Sequence, residues 1–414
     1  MRPLRCTVPG RSLRLFTAGL FLGLLGWIDS PLSSLVLRAQ APATRVFHVR
    51  ETMGIRRTEY PVSVTIQMTR GALSSVDHVR LMNNSAELPA QFTARSQWDD
   101  GSVQSLDVDF NASLDPEEDK RFELQLGADV TAAAKVERGL SVREQGDTLV
   151  VGNVTFSKSG APFIRSVSYR GEGIATGSNG LTVTDQMGRR LDLSKAQNAT
   201  LDVVKPGPLL VVLKYTASIP LDATTSVPVE LTVEMPNSKT WVKTTAVVSD
   251  RTRKLKDIAL ERPYAFSGFP VLWDFGTDTG TYGAFRAATD QITLTQLTTT
   301  AGSNSWKIES GPFNQRRALE TSAGPRVRLA TGWGHLQDAK SAVAFAVARF
   351  GKDPGTSTIA LGGNGQLTAR FQPASASTQL QLTLFEHFVA TPVAIGAATN
   401  PTAMLTPPSV TVER

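Results

Sequence analysis

Hydrophobic and polar residues alternate with period two through most of the chain after Val46. Val62, Val64, Ile66 and Met68 alternate with Ser63, Thr65 and Gln67, which predicts a half-buried strand starting just after Pro61. Val79 and Leu81 predict another, closed by the turn residues Asn83-Asn84-Ser85. Leu106, Val108 and Phe110 then oppose Asp107 and Asp109, and Phe122, Leu124 and Leu126 oppose Arg121, Glu123 and Gln125. Between these two runs Pro116-Glu117-Glu118-Asp119 reads as a solvated turn. Short strands at this spacing predict a small N-terminal β-barrel over 46–128.

The alanine-rich segment 129–137 reads as a linker, after which the period of two resumes. Strands are expected at 148–156, 209–213, 227–235, 241–248, 292–297, 341–350, 367–371 and 380–384. The alanines of 341–350 favour helix, but Val343, Phe345 and Val347 fall at period two and argue strand. Glycine-rich stretches at 172–180, 274–283 and 351–365 read as loops. No helical periodicity is sustained after residue 43. The expectation is all-β: the small barrel, a large antiparallel β-sandwich over 138–398, and an extended C-terminal tail over 399–414.

The first residues follow another pattern. Arg2, Arg5, Arg11 and Arg14 precede an apolar run over 15–28, too short to span a bilayer, and Ala39, Ala41 and Ala43 follow. This reads as a signal peptide over 1–43, cleaved after Ala43, or as a retained anchor, and it implies a secreted or periplasmic protein. Its removal changes the charge picture. Lys+Arg falls from 43 to 38 and Asp+Glu from 37 to 36, so the net charge drops from +6 to +2. The basicity belongs mostly to the signal, and a nucleic-acid partner loses its electrostatic basis. No membrane span is expected in the mature chain. The single cysteine, Cys6, leaves with the signal, which excludes disulfides, a thiol nucleophile and thiolate metal sites.

The motifs Tyr60-Pro61-Val62, Val79-Arg80-Leu81, Leu88-Pro89-Ala90-Gln91, Trp98-Asp99-Asp100-Gly101-Ser102-Val103 and Leu106-Asp107-Val108-Asp109-Phe110 occur in that order. Together they resemble the N-terminal RIFT-type barrel of secreted YetA-like proteins and exo-acting rhamnogalacturonan lyases. The segments 204–212, 229–234 and 331–338 resemble the central sandwich of that family. In 384–390 His387 matches the family's Thr-His-Glu-type motif, while its neighbours depart from it. The lyases continue into a helical α/α-toroid that carries much of their active site, and this chain has no counterpart after residue 400. The resemblance therefore implies architecture, export and a carbohydrate context rather than lyase activity.

Candidate chemistry is sparse. Trp98 and Asp99-Asp100-Gly101 read as a packed ring beside an Asp-Gly turn rather than as a sugar platform. Asp107 and Asp109 share one strand face, which reads as a solvated outer face. The histidines His48, His78, His335 and His387 show no metal-binding spacing, so no metal and no cofactor is expected. No nucleophile elbow, phosphate loop or dinucleotide fingerprint is present. The candidate ligand-binding residues are Trp273, Asp274, Trp306, Trp333, His335, Glu386 and His387. Aromatic rings on loops of a rigid β scaffold suit the C–H faces of sugars, and His335 and His387 could join them in a polar cleft. The expected partner is a polysaccharide or oligosaccharide, with a partner enzyme beside it. Three functions stay open: a non-catalytic protein binding a pectin-like polysaccharide, a polysaccharide lyase or glycoside hydrolase, and a structural or adhesive surface protein.

Overall fold

The computed structural model describes residues 43–159, 163–169, 172–176, 180–277, 280–301, 303–311, 316–322, 330–389 and 401–413. The stretch expected as a signal peptide, 1–43, lies outside them apart from Ala43. Among the described residues the strands form five antiparallel sheets, as the alternating pattern requires.

The N-terminal unit is built from two of these sheets. One holds Arg57–Gln67, Val103–Leu114 and Ala90–Gln97. The other runs Ser409–Val412, Ala43–Arg50, Asp119–Leu126, Val79–Asn83 and Ala86–Leu88. The even positions of the first and the inward residues of the second share one core. At its centre Phe110 lies 5.8 Å from Phe47 and 4.9 Å from Phe122, ring centroid to ring centroid. Burying each such ring contributes roughly 2–3 kcal/mol. The expected barrel is thus two facing sheets whose hydrogen-bonded ladders do not close. Pro89 stands at the corner where Leu88 ends one sheet and Ala90 starts the other, and it has no N–H to carry a ladder across. The half-buried Trp98 does not enter this core. It sits at the hairpin tip, where its Nε1 donates to the Met68 carbonyl at 3.2 Å and Gly101 turns the chain with φ of +82°.

The segment expected as an extended tail folds back instead. Pro401–Leu405 is a short helix, and Ser409–Val412 pairs with Ala43–Arg50, setting Val412 opposite Phe47. Arg57 fastens the helix by donating to the Thr406 carbonyl at 2.6 Å, while Tyr60 Oη donates to the Ala403 carbonyl at 2.8 Å.

The larger unit places an eight-stranded and a nine-stranded sheet around one hydrophobic core, with a five-stranded meander beside them. All three stretches expected as loops contain strands, Glu172–Thr176 among them, paired with Ile164–Tyr169. Val271–Phe275 and Thr281–Phe285 form a hairpin, and Gly355–Gly362 pairs on both edges. Gly283 is small for a packing reason: a Cβ there would stand 2.5 Å from the Trp273 ring. The expected strand within 341–350 forms as Ala342–Val347.

The two units meet through an apolar contact, in which Trp241, Ala344 and Ala346 join the N-terminal core, and through a set of polar groups. Asp107 and Asp109 are buried, which corrects the solvated face expected for them. Lys205, from the large unit, reaches Asp107 at 3.1 Å and Asp109 at 2.7 Å. Ser63 and Thr65 donate to the same carboxylates at 2.6 and 2.7 Å. Burial pushes the Asp109 carboxyl up, and Lys205 and then Ser63 pull against it. Gln91 completes the seam by binding the backbone of Leu209 and Leu210.

Candidate functional site

The nine-stranded sheet decides where the candidate residues go. Directly paired residues on neighbouring strands share a face. One such row reads Trp241, His387, Ala344, His335, Asp274, Tyr282. The next row on the same face reads Glu234, Lys243, Phe385, Ala346, Trp333. This is the outer face, because Trp241, Ala344 and Ala346 belong to the hydrophobic cluster of the N-terminal unit.

Four of the seven sequence candidates meet there. Asp274 accepts from His335 Nδ1, with its two oxygens at 2.8 and 3.0 Å. Trp333 stands edge-on to His335 at 5.8 Å between centroids. Its ring passes over Gly276, where any Cβ would collide with it. His387 is one strand away from Ala344 and edge-on to Trp241 at 6.2 Å. Burial, followed by the nearby Lys239 and His335, pulls the His387 imidazole down to about 4, so it is neutral at physiological pH.

The other three candidates lie elsewhere. Trp273 points into the core between the large sheets, packed against Phe275 and Phe285. Glu386, the neighbour of His387, faces that same core. It accepts from Arg262 Nε at 3.0 Å and from Tyr264 Oη at 2.9 Å, while Arg262 also donates to Thr244. Trp306 is buried on the eight-stranded sheet, away from the row. None of these three rings or carboxylates can reach a ligand on the outer face.

A cleft of about 290 Å³ opens at one end of the outer face. Tyr60, Trp241 and Phe385 supply aromatic walls, Lys243 and Glu234 a charged edge, and Met404 part of the far side. Lys243 Nζ donates to Glu234 at 2.7 Å and lies 5.8 Å from the centre of the Phe385 ring. Tyr60 meets Trp241 edge-on at 5.5 Å. Sequence reasoning passed over Tyr60, Trp241, Lys243 and Phe385, since each looks like an ordinary strand residue. The period of two does put Trp241 and Lys243 on one face, but only the fold shows that this face borders a cleft. Tyr282, beside Asp274 and 79% exposed, was also missed.

Among the described residues no group of three or more His, Cys, Asp or Glu side chains is placed to hold a metal ion. No described helix is long and apolar enough to cross a membrane.

Comparison with family models gives no match, and comparison with curated proteins gives none. Solved structures do share the architecture. The chain is similar to an alpha-mannosidase from Enterococcus faecalis V583, with a TM-score of 0.56 and 10% identity over 90% of this chain and 46% of that one. It is similar to the same degree to a protein in the glycosyl hydrolase family 38 from Enterococcus faecalis, with a TM-score of 0.57, 10% identity, and 90% and 47% coverage. The chain spans about half the length of these proteins. At this identity the likeness is one of fold.

Proposed function

We propose that this chain is an exported carbohydrate-associated protein that binds a pectin-like, rhamnogalacturonan-type polysaccharide without cleaving it. The observation that carries the reading is the cleft lined by Tyr60, Trp241 and Phe385 with Lys243 and Glu234 at its edge. Rings offer apolar faces to sugar C–H groups, and a few convergent polar groups orient the hydroxyls. Hydrolysis by the usual route takes two carboxyl groups flanking the scissile bond. Among the described residues lining the cleft, Glu234 is the one carboxylate, and Lys243 already engages it. The motif resemblance and the architecture shared with a protein described as an alpha-mannosidase support the carbohydrate context. A partner enzyme would then act on the polysaccharide held here.

A glycan array followed by calorimetry on the intact chain tests the reading. Saturable binding to rhamnogalacturonan, weakened about tenfold or more by Phe385→Ala or Lys243→Ala, is expected, a loss equal to about 1.4 kcal/mol. Binding to no glycan would overturn it.

One observation favours a catalytic alternative. The Asp274 carboxylate holds His335 Nδ1 and so sets the tautomer of the ring, an arrangement found in general bases. Under that alternative, incubation with polysaccharide yields unsaturated or new reducing ends, and His335→Gln abolishes them. Under the binding reading no such ends form.

A further inference from the structure

A second cavity, of about 470 Å³, lies at the seam between the two units and is lined by Glu59, Asn111, Lys135, Arg138, Asn237 and Ser238 among others. It and the aromatic cleft are bordered by the same strand ends. Pro61 lines the cleft, and its register partner Asn111 lines the second cavity. Leu210 and Pro236 line the cleft, and their chain neighbours Leu209 and Asn237 line the cavity. The shared border is therefore Pro61, Leu210 and Pro236, whose side chains carry no polar atom that a ligand would have to desolvate.

The chemistry of the two ends differs. The cleft presents rings. The cavity presents amides and hydroxyls: Asn111 Nδ2 donates to Asn237 Oδ1 at 3.0 Å, and Asn237 Nδ2 donates to the Arg138 carbonyl at 3.0 Å. The buried Ser238 Oγ has no hydrogen-bond partner among the described residues, although a hydroxyl withheld from both water and protein is costly. Lys135 and Arg138 stand among the lining beside Glu59 and Glu137. A lining of this kind suits a hydroxyl-rich sugar, its amides facing hydroxyls and its two exposed cations facing the carboxylate of a uronic acid.

Resting on the binding reading above, we propose that the two cavities are consecutive subsites for one oligosaccharide. The cleft packs one sugar on the partly exposed Phe385 ring, beside the edge of Trp241. The chain then crosses Pro61 and Pro236, and the following sugars exchange hydrogen bonds with Asn111, Asn237 and the exposed Lys135 and Arg138. The protein would thus recognise a run of sugars rather than a single terminal residue.

Calorimetric titration of the full chain with size-fractionated rhamnogalacturonan oligosaccharides, from disaccharide to octasaccharide, tests this. Affinity should rise about tenfold or more with length, the usual yield of one or two added well-made contacts. The double variant Lys135→Ala, Arg138→Ala alters exposed side chains only and should fold normally, as its unfolding temperature will show. It should bind the disaccharide as the parent does and lose most of the gain with length. Phe385→Ala should weaken every length. Equal affinity for all lengths, or an unchanged octasaccharide affinity in the double variant, overturns the two-subsite proposal while the cleft reading stands. Failure of every length to bind overturns both.

Discussion

The two faces of the nine-stranded sheet are made from alternate residues of the same strands, yet they have opposite characters. The inner row reads Val242, Glu386, Phe345, Gly334, Phe275, and the outer row reads Trp241, His387, Ala344, His335, Asp274. Inside, the facing sheet supplies Arg262 and Tyr264, so the one charge in the row is bonded on both oxygens. Outside, cover is uneven: Ala344 is fully buried within a cluster that includes Met404, whereas Tyr282 at the row's end is open to solvent. A charge in a closed core has to be paired for the protein to fold. A polar group on a face with a cleft at its edge can be available to a ligand.

Breaking the inner pair should give the largest effect. Arg262→Met leaves Glu386 buried with no opposing charge and should cost about 3–5 kcal/mol of stability, measured by urea unfolding. A loss under about 1 kcal/mol would mean that the inner face is not the closed environment described.

The outer face should respond to pH instead. With His387 held at about 4 against an ordinary value of 6.5, the unfolded chain takes up a proton that the folded chain refuses. Stability contributed by the neutral ring is complete above pH 6.5 and is lost as pH falls through that window. The loss reaches up to about 3 kcal/mol below pH 4, because each tenfold drop in proton affinity is worth roughly 1.4 kcal/mol. His387→Gln should therefore flatten the acid limb of the stability curve relative to the parent, and parallel curves for the two proteins would contradict the burial of the ring.

The smallest effect is expected at the exposed end of the row. Tyr282→Ala should change stability by no more than about 0.5 kcal/mol and leave binding in the cleft unaltered. A loss of glycan affinity there would relocate the site to the Asp274 end of the face.

Much of the strand structure was legible because period two is a local signal: Val62 to Met68, Val229 to Met235 and Val343 to Val347 all fall in or at the end of strands. The glycine-rich stretches misled because glycine was read as punctuation, whereas Gly283 yields space to Trp273 and Gly276 to Trp333. Pairing candidates by sequence neighbourhood also misled. Trp273 with Asp274, and Glu386 with His387, are adjacent in the chain and lie on opposite faces of the sheet. The Asp107–Asp109 pair looked solvated because nothing near it in sequence opposes it; Lys205 arrives from about a hundred residues away.

By itself the sequence determined that the chain is all-β, where its alternating strands lie, and which side chains of each strand share a face. Those properties follow from the alternation of Cβ atoms along an extended backbone, which no distant contact can alter. The tertiary structure alone decided which face is closed and which borders a cleft, that the N-terminal unit is two open sheets, and that the C-terminal segment returns to complete one of them. These depend on pairings such as Phe47 with Val412 and Lys205 with Asp109, made by residues whose separation leaves no trace in any local pattern. The aromatic cleft belongs to the same class, since Tyr60, Trp241, Phe385 and Met404 become neighbours only when the two units and the returning helix close around them.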